Sequence, residues 1–330
     1  MKGLLKIAVA AVFAVALSAG PASAGKSLKC SLYVPLDSAQ GKGAQKFKEL
    51  VEQRSGGDIK IKLFPSNQLG APYDVIDGQT AGSIEMSLLG YDIYTKFSPT
   101  INLAGLSFIF KDRAHAYAFY NSPFHAKAKA EILKNTGVRV LGNAEWNQGP
   151  YKILLTKDPI LSTKALKDVA MRVPNNEVDL AVWGAAGANV TPVPWPEAPL
   201  ALKQGLVRAI ELPADFVRPF KFYESAKFLA LTRHRHQLVY MTIAEKTWQS
   251  LSAKEKGIIE KSSNEAGLWY TSEVQKAWAS DREFLKAKGV AIADFDVSAW
   301  HEKIIALARS LEAKGKWDKG LVDKVMALKK

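Results

Sequence analysis

The chain has 330 residues, a formal net charge of +13 at pH 7 and a single cysteine, Cys30. One thiol excludes an internal disulfide and a structural zinc site built on cysteines. The lysines are interspersed with acidic residues, which indicates a solvated basic surface and no nucleic-acid partner. The length exceeds what one simple core usually holds and favours two lobes.

The first 24 residues predict export. An apolar run at 7–17 follows two lysines, and the small-residue sequence Ala-Ser-Ala ends at Ala24. This combination is typical of a secretory signal peptide cleaved after Ala24. The alternative is a membrane anchor, which needs ~20 apolar residues, but glycine and proline interrupt the run at 20–21. We therefore expect a periplasmic protein with no later membrane span.

Strand and helix patterns alternate over the first part of the mature chain. Strand-like runs cover 28–35, 58–65 and 83–90, with helical runs at 44–51 and 73–81 between them. This order predicts a parallel α/β sheet. Because ligands of such sheets bind beyond the carboxyl ends of the strands, we expect residues 33–40 and 90–92 to face a cleft.

Later patterns predict a second sheet and a largely helical carboxyl-terminal part. The predicted helices are 113–134, 198–204, 220–228, 253–287 and 298–329. The predicted strands are two within 138–156, then 170–173, 206–213 and 229–244. No internal repeat is visible.

An arginine at the end of a strand is the first candidate for a ligand-binding residue. Arg172 ends an apolar run and precedes Val173 and Pro174. A guanidinium group is a planar fork that matches a carboxylate with two parallel hydrogen bonds. The alternative is an ordinary surface or ion-paired arginine.

Aromatic residues provide the candidates for an apolar wall. Trp195 lies among three prolines in 192–196, which fix the backbone and reduce the entropy lost on ordering. It is either a platform for the apolar body of a ligand or a core residue. The same alternatives hold for Trp146, whose neighbour Asn147 is a further candidate.

Other polar candidates could either contact a ligand or serve a structural role. Tyr91 and Tyr151 either donate a hydroxyl to a ligand oxygen or pack in an interface. His234 and His236 alternate on a strand-like run and face opposite sides, so they are poor ligands for one metal. No motif for a metal site, nucleotide or cofactor occurs.

Six segments, in order across nearly the whole mature chain, resemble the substrate-binding subunits of tripartite ATP-independent periplasmic (TRAP) transporters. They are KFKELVEQRSGGDIKIKLFPSNQLG, SIEMSLLG, LSFIFKDRAHAYAF, MRVP, VTPVPWPEAPLALKQG and KFYESAKFLALTRH. The resemblance implies an α/β, two-lobed periplasmic binding protein fold (type II-like), with lobes joined by crossing strands and a long helix. It also implies a monomer without cofactor that closes over a small organic acid and delivers it to TRAP permease membrane subunits.

The predicted lobes follow from the crossing segments. Residues 1–24 are the signal peptide. Lobe I comprises 25–149 and 238–280, and lobe II comprises 150–237 and 281–330.

The resemblance also implies roles for single residues. Arg172 would bind the ligand carboxylate and Trp195 would flank the ligand. Tyr91 would lie at the cleft, and His234 would correspond to the family's histidine after the KFYE segment.

Two positions depart from the family pattern. Leu212 stands where an asparagine is common, and Tyr151, beside Lys152, stands where a second arginine is common. We therefore expect a monocarboxylate with a bulky apolar or aromatic body. The aromatic residues expected to line its site are Trp195, Trp146, Tyr91 and Tyr33.

The alternative from another class is a secreted α/β enzyme that acts on an anionic substrate. Glu145 or Glu211 would then serve as the acid or base. Such a pair is more often structural, and we expect Glu211 to fix neighbouring backbone or Arg172.

Overall fold

A computed structural model describes residues 25–328, so the predicted signal peptide, residues 1–24, lies outside the described residues. Within 25–328, no helix is long and apolar enough to cross a membrane.

The described residues form twelve strands. They are β1 (Lys26–Leu32), β2 (Ile59–Phe64), β3 (Met86–Gly90), β4 (Val138–Val140), β5 (Asn147–Gln148), β6 (Lys152–Thr156), β7 (Ala170–Val173), β8 (Asn189–Pro192), β9 (Ala209–Pro213), β10 (Phe228–Leu231), β11 (Gln237–Ala244) and β12 (Ala291–Asp294).

Eleven α-helices accompany these strands in the described part of the chain. They are α1 (Ala39–Arg54), α2 (Pro72–Ala81), α3 (Pro99–Ala104), α4 (Arg113–Tyr120), α5 (Pro123–Thr136), α6 (Glu177–Ala185), α7 (Ala198–Gln204), α8 (Glu245–Gln249), α9 (Ala253–Ala287), α10 (Ser298–Ala313) and α11 (Leu321–Met326).

The first sheet has the order β2-β1-β3-β11-β4, with β5 paired to β11. Strands β2, β1 and β3 run parallel, as their alternation with α1 and α2 predicts. Strand β11 lies antiparallel between β3 and β4. No local sequence pattern predicts that β11 lies between β3 and β4, because β11 comes from far along the chain.

The second sheet has the order β12-β10-β6-β9-β7-β8. Its central strands β6 and β9 are buried along their whole length, and β9 runs parallel to β7. The two sheets confirm the predicted two-lobed α/β fold.

The chain crosses between the sheets in the short stretches from β5 to β6 and from β10 to β11, and again along α9. Helix α9 spans the predicted 253–287 and begins at a capping box of Ser252 and Glu255. The lobe bounds given above stay a prediction.

Several predicted elements are wrong in extent. The run 229–244 is two strands in different sheets, because Arg233 adopts a positive φ of 45° and turns the chain between them. His234 and His236 consequently lie on a connection and not on a strand.

The predicted helix 220–228 is only a short 3₁₀ turn, Phe222–Glu224, because Lys221 is left-handed with a φ of 54°. The predicted helix 113–134 breaks into α4 and α5, because Ser122 caps a new helix there by accepting a hydrogen bond from Phe124 N, with Pro123 at the first helical position. The tail likewise divides into α10 and α11.

Candidate functional site

A cavity of about 190 Å³ lies between the two sheets. Its walls come from the carboxyl ends of β1, β3, β7 and β9, from the crossing between β5 and β6, and from the proline-rich turn after β8. The lining residues are Tyr33, Ala71, Pro72, Tyr73, Gly90, Asp92, Ile93, Gln148, Lys152, Arg172, Pro174, Asn175, Asn176, Pro194, Trp195, Pro196, Glu211, Pro213, Phe216 and Gln237. This position agrees with the rule for ligands of open α/β sheets.

Arg172 points its guanidinium into this cavity from the end of β7. Its side chain is 3% exposed, and its Nε donates to the carbonyl of Val193 at 2.9 Å. No acceptor within residues 25–328 bonds its two terminal nitrogens, and no carboxylate there forms an ion pair with it. Burial lowers the pKa of Arg172 against the opposing charges of Glu211 and Asp92, but guanidinium stays protonated in proteins. Arg172 is therefore neither a surface residue nor an ion-paired one.

Lys152 and Glu211 form a buried ion pair in the cavity wall. Lys152 Nζ lies 3.0 Å from Glu211 Oε1, and both side chains are almost fully buried. Burial alone would raise the pKa of Glu211, but Lys152, His234 and Arg235 outweigh it and hold that pKa below its usual value. Glu211 thus pairs with Lys152, whereas the sequence led us to expect backbone or Arg172.

Arg235 and Asp179 form a second buried ion pair close to the first. Burial works against the charge of Arg235, yet Asp179 and the nearby acidic groups raise its pKa above the usual value. Both pairs are internally neutral, so Lys152 and Arg235 add no free cation to the cavity.

Asp92 supplies a carboxylate on the side of the first sheet. It follows β3, and its Oδ1 accepts a hydrogen bond from Gln237 Nε2 at 2.8 Å. Burial raises the pKa of Asp92; the charges of Lys152 and Arg235 act against this shift, and those of Asp179 and Glu211 add to it.

Aromatic rings form the apolar wall and meet across the cavity. Trp195, from the second sheet's side, contacts Tyr33 of the first at a centroid distance of 6.4 Å, edge to face. It also packs on Phe216 at 5.4 Å, and the Arg172 Cζ lies 5.5 Å from its ring. Trp195 is half-buried, which fits a platform better than a core residue.

The structure brings four of the ten predicted site residues to the cavity wall: Arg172, Trp195, Tyr33 and Glu211. The other six lie behind it or away from it. They are Tyr91, Trp146, Asn147, Tyr151, Leu212 and His234.

Each of the displaced aromatic residues has another partner. Tyr91 is buried and donates its hydroxyl to the carbonyl of Ala104 at 3.0 Å. Trp146 is a core residue whose Nε1 donates to Ser263 Oγ. Tyr151 packs edge to face on Trp278.

The three remaining predicted residues also lie away from the cavity wall, each for a structural reason. Asn147 contributes its backbone nitrogen to Thr271 Oγ1. Leu212 faces the opposite side of β9 from its neighbour Glu211, as strand alternation requires. His234 lies behind Glu211, with Nε2 3.6 Å from Oε2, and burial lowers its pKa to about 4.

Glu145, the other candidate acid, does not line the cavity. Its Oε2 accepts from the backbone nitrogen of Asn143 in a turn, so the structure does not join it with Glu211 into an acid–base pair.

Sequence reasoning missed several cavity residues. Lys152 and Asp92 are direct neighbours of the predicted Tyr151 and Tyr91, and strand or turn alternation could have selected them. Gln148, Gln237 and Phe216 carry no local signal, because only the tertiary fold brings them together.

Residues 30–314 match the family of bacterial extracellular solute-binding proteins, family 7. The chain is similar to the 2,3-diketo-L-gulonate-binding periplasmic protein YiaO of Escherichia coli K12, with 30% identity over 89% of this chain and 90% of that protein. It is also similar to the sialic acid-binding periplasmic protein SiaP of Vibrio cholerae, with 28% identity over 95% and 96% of the two chains.

Solved structures share the fold. A TRAP periplasmic solute-binding protein of Roseobacter denitrificans with bound L-galactonate superposes with a TM-score of 0.82 at 25% identity, over 92% of this chain and 98% of that one. A TRAP protein of Pseudomonas putida F1 with bound D-glucuronate gives 0.84 at 22% identity, over the same shares. These proteins bind solutes and are not enzymes. The chain therefore belongs to bacterial extracellular solute-binding protein family 7, as a substrate-binding subunit of the TRAP type.

Proposed function

We propose that this protein captures a small monocarboxylate with an apolar or aromatic body in the periplasm and delivers it to a TRAP permease. The observation that carries the proposal is the guanidinium of Arg172, which is buried and unpaired within the described residues and lies against the ring of Trp195. Two parallel hydrogen bonds to a carboxylate would satisfy it. The adjoining ring would cover carbon atoms of the same ligand.

The charge balance of the second sheet's wall supports one carboxylate and not two. Lys152, the other cation lining the cavity, is already neutralised by Glu211 at 3.0 Å. A second carboxylate would have to displace Glu211 or lie near it. Like charges in a low-dielectric site repel strongly.

The size and composition of the cavity support a small, largely apolar body. Its volume of about 190 Å³ is below the ~300–1,000 Å³ typical of drug-sized ligands. Proline and aromatic side chains make up much of the wall beside Trp195.

Binding would proceed by closure of the two lobes. Tyr33 and Trp195 come from opposite sheets and touch at the cavity, so a ligand between them contacts both lobes. Its higher affinity for the closed form would shift the population toward that form. The bending would occur where the chain crosses between the sheets, at 148–152 and 231–237.

A thermal-shift screen with purified protein tests the proposal. The panel compares apolar monocarboxylates (benzoate, phenylpropanoate, isocaproate and their hydroxy and amino analogues) with succinate, glucuronate and galactonate. We expect a shift with at least one apolar monocarboxylate and recovery of that acid unchanged. Saturation at ~100 Kd would stabilise the folded form by about 2.7 kcal/mol.

The variant Trp195→Ala tests the apolar platform. It should weaken binding of the best apolar acid by about tenfold or more, since burial of an aromatic side chain contributes on the order of 1.5–3 kcal/mol. Binding of succinate or a sugar acid alone would contradict the apolar body. Turnover of a bound acid would contradict the binding role.

A further inference from the structure

Asp92 is held in a fixed orientation at the cavity. Gln237 Nε2 donates to its Oδ1 at 2.8 Å, and the carboxylate folds back over Gly90. A Cβ atom at position 90 would collide with both Asp92 Oδ1 and Gln237 Nε2. The absence of a side chain at Gly90 therefore lets the carboxylate and the amide meet at the end of β3.

The acceptor atoms on this side of the cavity are not fully used. Gln237 Oε1 is buried and no donor within residues 25–328 reaches it. Asp92 forms an ion pair with no cation of the described chain, because Lys152 pairs with Glu211 and Arg235 pairs with Asp179. A carboxylate in a low-dielectric site without a cation is costly.

Arg172 and Asp92 are therefore two opposite charges that line one cavity without pairing with each other. Arg172 lies at the end of β7 in the second sheet, and Asp92 follows β3 in the first. A ligand with a carboxylate at one place and a hydrogen-bond donor at another would complement both. A plain carboxylate would leave Asp92 facing an apolar group.

We propose that Asp92, together with Gln237 Oε1, accepts hydrogen bonds from a hydroxyl or a protonated amine on the ligand whose carboxylate is held by Arg172. This inference rests on the proposed function and narrows it. The ligand is then a hydroxy acid or an amino acid with an apolar body, and Asp92 is a residue that determines specificity.

Two matched sets of ligands test the inference by calorimetric titration of the full mature chain. One set is phenylpropanoate, phenyllactate and phenylalanine, and the other is isocaproate, hydroxyisocaproate and leucine. Within a set the carboxylate and the apolar body are constant, and only the α-substituent changes from hydrogen to hydroxyl to ammonium. In at least one set, the hydroxy or the amino member should bind about tenfold or more tightly than the plain acid, as a hydrogen bond to a charged group allows.

Two variants locate the effect. Asp92→Asn should remove most of the preference for the donor-bearing member over the plain acid, because the neutral amide no longer offers a charged acceptor. Asp77→Asn, on the exposed face of α2, is the matched control and should leave every affinity unchanged.

The wild-type comparison does not depend on any variant folding. A plain acid that binds as tightly as its hydroxy and amino analogues in both sets would overturn the inference but leave the proposed function standing. A preference that persists in folded Asp92→Asn would also overturn it. Absence of binding by all six ligands would contradict this inference. The proposed function would fail with it only if benzoate and its analogues also gave no thermal shift.

Discussion

Lys152 and Glu211 are diagonal neighbours on the adjacent antiparallel strands β6 and β9, and Lys152 Nζ lies 3.0 Å from Glu211 Oε1 at the cavity. Both side chains are at most 3% exposed. The pair leaves Arg172 as the cation without a partner carboxylate among the described residues that line the cavity.

Removal of either partner should be more costly than removal of both. Lys152→Met or Glu211→Leu alone leaves an unpaired buried charge, and we expect each to destabilise the protein by about 3–5 kcal/mol. The double variant replaces the pair with apolar groups and should lose less than either single variant. Urea unfolding of the four proteins measures the coupling. Additive losses would contradict a direct interaction.

Trp146 packs against two helices through glycines, which explains its absence from the cavity. A Cβ atom at Gly267 of α9 would lie 2.6 Å from Trp146 Cδ1, and one at Gly43 of α1 would lie 2.9 Å from its Cζ3. Gly267→Ala should therefore destabilise the fold by about 1–3 kcal/mol through overpacking.

Gly257→Ala is the matched control on the same helix, because nothing lies within 4 Å of a Cβ atom there. It should stabilise α9 by roughly 0.5–1 kcal/mol. Thermal unfolding measures both variants. A large loss of ligand affinity in a folded Gly267→Ala protein with unchanged stability would contradict the structural role of Trp146.

Asp215 makes stability depend on pH. Burial raises its pKa to about 7, and the charge of Asp281 acts in the same direction. Since an unfolded aspartate titrates near ~3.9, the folded protein holds this proton more tightly. The contribution of Asp215 to stability therefore falls as the pH rises from about 4 to about 7.

Asp215→Asn removes this dependence. We expect its stabilising effect to be larger at pH 8 than at pH 5 by on the order of 2 kcal/mol. Urea unfolding at the two pH values measures the difference, with Asp77→Asn as an exposed control. An equal effect at both pH values would show that Asp215 titrates normally in the folded protein.

The sequence predicted elements well where one local pattern dominates. Helix α9 and the parallel order of β2, β1 and β3 follow from periodicity and from strand–helix alternation. The prediction of one strand over 229–244 was wrong, because the strand-like pattern continues through Arg233. A positive φ at Arg233 turns the chain into the other sheet. Periodicity does not reveal a left-handed residue other than glycine.

Only part of the site was predicted, because local patterns again do not show tertiary contacts. Arg172 and Trp195 can be recognised from their sequence neighbours: Arg172 is a cation at the end of a strand, and Trp195 is a ring between prolines. The family resemblance implied that Tyr91 lies at the cleft, but the side chain of Tyr91 enters the core and Asp92 lines the cavity. Only tertiary contacts decide which of two neighbouring turn residues points outward.

The most direct test of the central claim is the affinity of Arg172→Gln for the apolar monocarboxylate that stabilises the wild type most. Glutamine keeps much of the length but cannot offer two parallel charged donors. We expect a loss of about 100-fold or more, because each hydrogen bond to a charged group contributes roughly 1.5–3 kcal/mol. Arg208→Gln, which removes an exposed arginine paired with Asp158, should bind as the wild type does. Unchanged affinity in folded Arg172→Gln would contradict the carboxylate site.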